Sequence, residues 1–302
     1  MNGSAPHAYR SYTGPIRTRA WLAWWPITRT ELTSGMYRWR LLPLYLLLLA
    51  PLLFREALLY ARFVVAEVQV NMKAGMAAGR MGSMGRLLQW DERVFYSDYL
   101  DDRFLWLFLL LAAAVLGVPL VARDLRTRAW EIYFARAIGR LDYFVGKFAA
   151  VFLVLFAATG GGVLALYLTT SLLGPDPEFF ARHLGWLAPL LTHAALLSAV
   201  LALAALAFGT LSENGIVLAG AWLGLFFVAF CIGRVLRHVE PAARLDWIDP
   251  RYLFLASSSL LHGHPPPAGF AAWVGPAVLA ALSAAAVLVL GRFLRRQKEG
   301  LG

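Results

Sequence analysis

Long apolar stretches without any Asp, Glu, Lys or Arg most constrain what this chain can fold into. A helix needs about 20 predominantly apolar residues to cross a bilayer. Charge-free stretches of about this length or longer cover residues 104–122, 148–175, 184–212, 214–233 and 252–291. The segment HGHPPPAG at 262–269 breaks the last stretch, so its spanning part starts at Phe270. These stretches predict five membrane spans.

A sixth, less regular span precedes them. Residues 41–54 are strongly apolar, and the helical pattern continues past Arg55 and Glu56, which we expect to be paired or to snorkel near the outer end. Trp39 stands at the start, where interfacial aromatics belong. The prediction is an all-α polytopic membrane protein with a single transmembrane domain, 1–302. Its predicted spans are 39–59, 104–122, 148–173, 185–211, 215–233 and 270–291.

Composition excludes a soluble globule as the default. Hydrophobic residues make up 60% and charged residues 15% of the chain, and mean hydropathy is +0.61, whereas soluble domains carry about 25% charged residues. The net charge of +10 could indicate nucleic-acid binding. In a membrane protein it more often reflects basic residues on cytoplasmic loops beside anionic lipid. We therefore predict a lipid bilayer partner and no nucleic acid.

The distribution of basic residues predicts the orientation. With both termini inside, the inner segments hold 16 Lys and Arg residues and the outer segments 12. We predict a multi-pass protein of the bacterial cytoplasmic membrane with both termini in the cytoplasm. Residues 17–38 mix tryptophans with arginines, which suits a helix lying in the interface. Residues 60–102 and 234–269 form the two longer outer segments.

The inner loop at 122–147 is the most distinctive segment. Its charged residues alternate in sign, and Trp130, Ile132, Tyr133, Phe134 and Ile138 lie between them. This pattern predicts two short amphipathic helices across the membrane face, broken at Gly139. Such a pair would form a rigid projection on which a soluble partner could act.

This loop resembles the cytoplasmic coupling region of the permease subunits of type-2 ABC exporters. Asp124 matches the acidic start of the family's loop, Glu131 its internal glutamate, Arg140 its arginine, and Gly146-Lys147 the closing pair. The chain departs from the family at Arg128-Ala129, where Gly-Thr is usual, and at Ala137, where proline is usual. The order of amphipathic helix, six spans, coupling loop, outer insertion and basic tail is also similar. The resemblance implies a dimer of permeases driven by two ATP-binding subunits.

The resemblance implies that ATP and Mg²⁺ bind the partner ATPase and that this chain needs no cofactor and is not an enzyme. The segment from Gly139 to Lys147 superficially resembles a phosphate loop. It has six residues between the glycines where a P-loop has four, and Phe148 where Ser or Thr is required. The residues predicted to transmit the ATPase stroke are Asp124, Arg126, Arg128, Glu131, Arg136 and Arg140.

The cargo is not named by any motif. Nearly charge-free spans suit an amphipathic or lipid-like substrate, and the residues that are candidates to line its path are Trp106, Phe108, His193, Trp222, Phe226 and Phe227. Lipid-facing packing is the alternative for the aromatics, and a satisfied core side chain is the alternative for His193. A secondary transporter, a channel or, less favoured, a membrane-embedded enzyme remains open. Thioether sulfurs can bind Cu(I), which makes four outer methionines candidate copper ligands: Met72, Met76, Met81 and Met84.

Overall fold

A computed structural model describes residues 23–36, 39–65, 90–129, 139–239, 249–263 and 273–299. Every regular element in these residues is a helix. The helices are α1 (Trp24–Thr30), α2 (Leu42–Tyr60), α3 (Glu92–Leu100), α4 (Arg103–Ala112), α5 (Val118–Thr127), α6 (Arg140–Leu173), α7 (Phe179–Arg182), α8 (Leu187–Phe208), α9 (Gly215–Val239), α10 (Pro250–His262) and α11 (Val274–Glu299).

Six helical stretches are long and apolar enough to cross a membrane. They are Trp39–Val64, Glu92–Thr127, Arg140–Leu173, Leu184–Phe208, Gly215–Val235 and Val274–Arg295. The prediction of an all-α polytopic protein is thereby confirmed, and the chain is a multi-pass membrane protein. The helices generally extend past the charge-free stretches because charged residues at a span's end can reach the aqueous interface without interrupting the helix.

The second span is the least regular of the six. A break at Asp101-Asp102 separates α3 from α4, and the Asp102 carboxylate caps α4 by accepting hydrogen bonds from the amides of Phe104 and Leu105. A π-helical turn, Ala113–Gly117, then joins α4 to α5. This turn packs closely on α8, because a Cβ at Gly117 would lie 2.9 Å from the Cβ of Ala205.

Two helices lie inside the segments predicted as outer loops. Helix α3 falls within 60–102 and buries Phe95, Tyr96 and Tyr99. Helix α10 falls within 234–269 and buries Leu253 and Phe254, with three consecutive serines, against α8 and α11. Both helices are therefore part of the packed domain, since their apolar side chains face the bundle.

The core lies around the second, third and fourth spans. Helices α4, α5, α6 and α8 contribute most of its fully buried side chains, among them Leu109, Leu155, Leu166 and Leu197. Helices α2, α9 and α11 instead expose long apolar faces. In a membrane protein such faces meet lipid or another subunit, so they need no cover from this chain.

Candidate coupling site at the loop end of the bundle

We call the end of the bundle that contains Ala129 and Gly139 the loop end. Helix α5 ends at Thr127 and is followed by Arg128, whose φ of 50° is left-handed. Helix α6 begins after Gly139, whose amide donates to the Asp142 carboxylate at 3.0 Å. Residues 122–127 and 140–147 are therefore helical extensions of the second and third spans. We call these two helical extensions the stems.

A buried ionic cluster joins the two stems to the N-terminal segment. The Lys147 ammonium of α6 lies 2.5 Å from Glu31 Oε1 and 2.7 Å from Asp124 Oδ2. The Arg123 guanidinium contacts Glu31 Oε2 at 2.8 Å, and the Tyr143 hydroxyl donates to Asp124 Oδ2 at 2.8 Å. We call these five residues the stem cluster. It connects three separate parts of the chain at one point.

The stem cluster is balanced in charge, and three of its four charged side chains are deeply buried. Lys147 is only 1% exposed, Glu31 2% and Asp124 4%. Two carboxylates face two cations, which is the condition under which buried charges are tolerated. The Lys147 ammonium also lies 5.5 Å from the centre of the Tyr143 ring, a cation–π contact. Loss of the Lys147 ammonium would leave two buried carboxylates facing only the partly exposed Arg123.

Electrostatics keep Glu31 ionised despite its burial. Burial acts to raise the pKa of Glu31, but the charges and hydrogen bonds of Lys147 and Arg123 together lower that pKa below its ordinary value. The carboxylate therefore stays charged at neutral pH and remains an acceptor for both cations. The ion pairs of Glu31 with Lys147 and Arg123 therefore persist across the physiological pH range.

Helix α1 and the π-helical turn Glu31–Met36 form the N-terminal part of the site. The Thr28 hydroxyl donates to the Gly146 carbonyl of α6 at 3.0 Å. A Cβ at Gly146 would lie 2.7 Å from the Ile27 Cβ and 2.9 Å from the Trp24 carbonyl oxygen. Glycine at 146 thus permits the close approach that brings Glu31 to Lys147.

The structure separates the predicted coupling residues into distinct environments. Asp124 is buried in the stem cluster, whereas Arg126 and Arg128 are exposed on the last turn of α5. Arg140 lies half-buried at the first position of α6. Glu131 and Arg136 lie outside the described residues. Asp124 therefore helps to hold the two stems together, whereas Arg126 and Arg128 are accessible to solvent.

Sequence reasoning missed Glu31 and did not assign a site role to Lys147. Each carried a signal. Glu31 is the only acidic residue among the first 55, in a segment otherwise rich in arginine and tryptophan. Lys147 is one of only three lysines in a chain with 25 arginines. An isolated charge of unusual type in an apolar context indicates a specific partner, although only the fold shows which one.

The candidate path residues do not meet in one cavity. Trp106 is buried and packs edge-to-face on Phe254 of α10, with ring centres 5.0 Å apart. Trp222 is buried and donates its indole N–H to the Leu110 carbonyl at 3.2 Å. Phe226 packs on Trp222 with ring centres 4.6 Å apart. Phe108 is half-buried against the core, and Phe227 is 68% exposed on the outer face of α9.

His193 lies fully buried on α8, with its ring 6.0 Å from that of His262 at the end of α10. Among the described residues, neither ring nitrogen of His193 has a hydrogen-bond partner. The described residues contain no cluster of three or more His, Cys, Asp or Glu side chains placed to bind a metal. The methionines Met72, Met76, Met81 and Met84 lie outside the described residues.

A second set of polar contacts ties α10 to the break in the second span, at the end opposite the loop end. The Arg251 guanidinium donates to the Asp101 carbonyl at 2.6 Å, and the Ser258 hydroxyl donates to the Asp101 carboxylate at 3.1 Å. The Arg55 guanidinium lies 3.8 Å from the Asp102 carboxylate. Arg55 is paired at this end, and α10 is held to the second span through the carbonyl and the carboxylate of Asp101.

Two sequence comparisons with known proteins give no match to this chain. No protein-family model matches it, and no curated protein is significantly similar to it in sequence. Six apolar helices favour a role in membrane transport. Any finer assignment has to come from the site.

Proposed function

We propose that this chain is the transmembrane permease subunit of an ATP-driven ABC exporter. A separate ATPase subunit would bind at the loop end, and its motion would move an amphipathic or lipid-like substrate across the membrane. The observation that carries the proposal is the stem cluster. It fixes both ends of the 122–147 loop to each other and to the segment that contains Glu31.

A rigid connection is what a coupling element requires. A force applied to residues 130–138 reaches the second and third spans only if the two stems do not yield. Contacts of Lys147 with Glu31 and Asp124, at 2.5 and 2.7 Å in a buried environment, provide that stiffness. Packed helices with buried ionic contacts change between discrete arrangements and transmit displacement. The exposed Arg126 and Arg128 are then the contact points for the partner.

The partner chains follow from this mechanism. ATP and Mg²⁺ would bind the ATPase subunits, and this chain would hydrolyse no nucleotide. A second permease, either a copy of this chain or a related one, would pack against the exposed apolar faces of α2, α9 or α11. The proposed location is the bacterial cytoplasmic membrane, with the loop end in the cytoplasm.

The proposed class of cargo rests on the apolar lining of a groove in the helix bundle. A groove of about 390 Å³ between α2 and α6 is lined by Leu32, Met36, Tyr45, Leu48, Leu49, Leu153, Val154, Ala157 and Ala158. Its walls are almost wholly apolar, which suits the hydrocarbon part of an amphipathic molecule. Small residues at 157 and 158 leave room beside α6 for such a chain.

Charge reversal at Glu131 tests the proposal. Glu131→Lys, and in parallel Arg128→Glu, should abolish ATP-dependent transport or weaken ATPase binding while membrane insertion stays normal. Reversal at Arg103, which is exposed on α4 at the opposite end, is the matched control and should leave transport unchanged. Normal transport by both loop variants would mean that the loop is only a solvated basic segment.

A proton-coupled secondary transporter is a second candidate, and His193 is the observation that favours it. An ionisable side chain buried in a span is by default a candidate functional group, and His193 lies beside His262. Transport that follows an imposed proton gradient without any nucleotide-binding partner, and that is lost in His193→Gln, would support this candidate over the exporter. A copper cargo would instead make a deletion strain sensitive to copper. The wild-type gene would restore copper tolerance, and a variant with leucine at all four methionine positions would not: Met72, Met76, Met81 and Met84.

A further inference from the structure

A groove between the first and second spans lies beside the stem cluster, and the proposed coupling role does not account for its mixed apolar and basic lining. It has a volume of about 240 Å³. Its walls are Met36, Leu41, Val115, Leu116, Pro119 and Leu120, and two arginines, Arg40 and Arg123, complete its lining. A cavity that combines apolar walls with two guanidinium groups matches an amphipathic anion better than either water or an acyl chain.

The two arginines lie at the membrane boundary. The first apolar helix begins at Trp39, which is 81% exposed, so Arg40 stands at the level where interfacial aromatics and lipid headgroups occur. Arg123 lies on the last turns of the second span and is 42% exposed at its side chain. No carboxylate among the described residues lies within salt-bridge distance of the Arg40 guanidinium.

The size and position of the groove indicate which kind of ligand it can bind. A groove of about 240 Å³ is smaller than the 300–1,000 Å³ typical of sites that enclose a whole small molecule. It therefore takes a headgroup, while the attached acyl chains stay in the bilayer beside the exposed Val115. Basic pockets between transmembrane helices at the membrane boundary are suited to anionic phospholipid headgroups.

We propose that the groove between the start of the first span and α5 binds the headgroup of an anionic phospholipid, with Arg40 and Arg123 as its phosphate ligands. Because Arg123 also contacts Glu31 at 2.8 Å, the bound lipid would share a guanidinium with the stem cluster. Lipid composition would then influence the stiffness of the stems. The proposal does not depend on what drives transport.

Native mass spectrometry tests the site on the full chain in mild detergent, with equal amounts of phosphatidylglycerol and phosphatidylcholine. The wild type should retain phosphatidylglycerol preferentially. Arg40→Gln should lower that preference roughly fivefold, the effect of about one basic residue at an anionic surface, and Arg40→Lys should keep most of it. Val115→Trp, which narrows the groove at unchanged charge, should also lower the preference.

Arg29→Gln is the matched control, because Arg29 is exposed on α1 at the same end but does not line the groove. Its lipid preference should equal that of the wild type. The proposal is overturned if the wild type shows no preference, or if Arg29→Gln loses as much as Arg40→Gln. It is also overturned if millimolar inorganic phosphate displaces the retained lipid, since the groove would then be a site for a free anion. Gel filtration and far-UV circular dichroism of each variant confirm that the fold is retained.

Discussion

Lys147→Met is the substitution that tests the stem cluster most severely. Methionine keeps much of the aliphatic stem but removes the ammonium that lies 2.5 Å from Glu31 and 2.7 Å from Asp124. Within the stem cluster, Arg123 would remain as the one cation, in contact with Glu31 at 2.8 Å but 4.0 Å from Asp124. Breaking a buried ion pair by removal of one partner costs about 3–5 kcal/mol. The melting temperature should fall on the order of 10 °C.

Thermal unfolding of the purified protein in detergent, followed by tryptophan fluorescence, measures this effect. The double variant Glu31→Gln/Lys147→Met should be less destabilised than the sum of its single variants by about 1–3 kcal/mol, because it removes one anion with the cation. Arg29→Gln, an exposed change at the same end, should stay within about 0.5 kcal/mol of the wild type. Additive single effects, or a Lys147→Met variant as stable as Arg29→Gln, would refute the view that these charges act as a unit.

Three further predictions follow from the same geometry. Gly146→Ala should separate α1 from α6 and lower the free energy of unfolding by about 1–3 kcal/mol, because its Cβ would lie 2.7 Å from the Ile27 Cβ. The control Gly161→Ala should have no comparable steric cost, because its Cβ would meet no neighbouring element within 4 Å. Equal destabilisation by the two variants would contradict the close approach of α1 and α6. Because the pKa of Glu31 is lowered in the folded state, its ion pairs stabilise the fold above its unfolded pKa of about 4.3. This stabilisation is lost as the pH falls through the lower pKa of the folded state. Unfolding measured over a pH series should show the loss in the wild type and not in Glu31→Gln. Tyr99→Phe removes the hydroxyl that donates to the Ala158 carbonyl at 2.6 Å and should destabilise by about 1 kcal/mol, and Tyr60→Phe, at an exposed site, should not.

The spans could be predicted from the sequence because a bilayer imposes a simple requirement on each of them. A helix must be apolar over a fixed length, and this property belongs to each segment alone. Helices α3 and α10 were harder to recognise. Helix α3 carries Glu92, Arg93 and Asp98, and α10 carries Arg251 and three serines, so neither is apolar enough to be read as buried. Their burial depends on partners elsewhere, such as Asp101 for Arg251 and Ser258.

The candidate site, like the fold, could be predicted from the sequence only in part. The pattern at 122–147 drew attention to Asp124, Arg126 and Arg128 from alternating charge alone. It could not show that Asp124 faces inward, because that depends on Lys147, which lies 23 positions away, and on Glu31, which lies 93 positions away. Contacts between distant residues are properties of packing, whereas charge alternation is a property of a single segment. Composition likewise indicated a membrane protein without indicating a partner or a cargo.

ATP hydrolysis by the chain alone and in complex is the most direct test of the proposed function. A photo-crosslinking residue placed at Arg128, on the exposed last turn of α5, should capture an ATP-binding subunit from the native membrane, and the same residue at the exposed Tyr60 at the opposite end should not. The purified complex should hydrolyse ATP, Lys147→Met should uncouple that hydrolysis from transport, and the chain alone should hydrolyse none. ATP hydrolysis by the isolated chain, or transport by it in liposomes without a nucleotide-binding partner, would contradict the account.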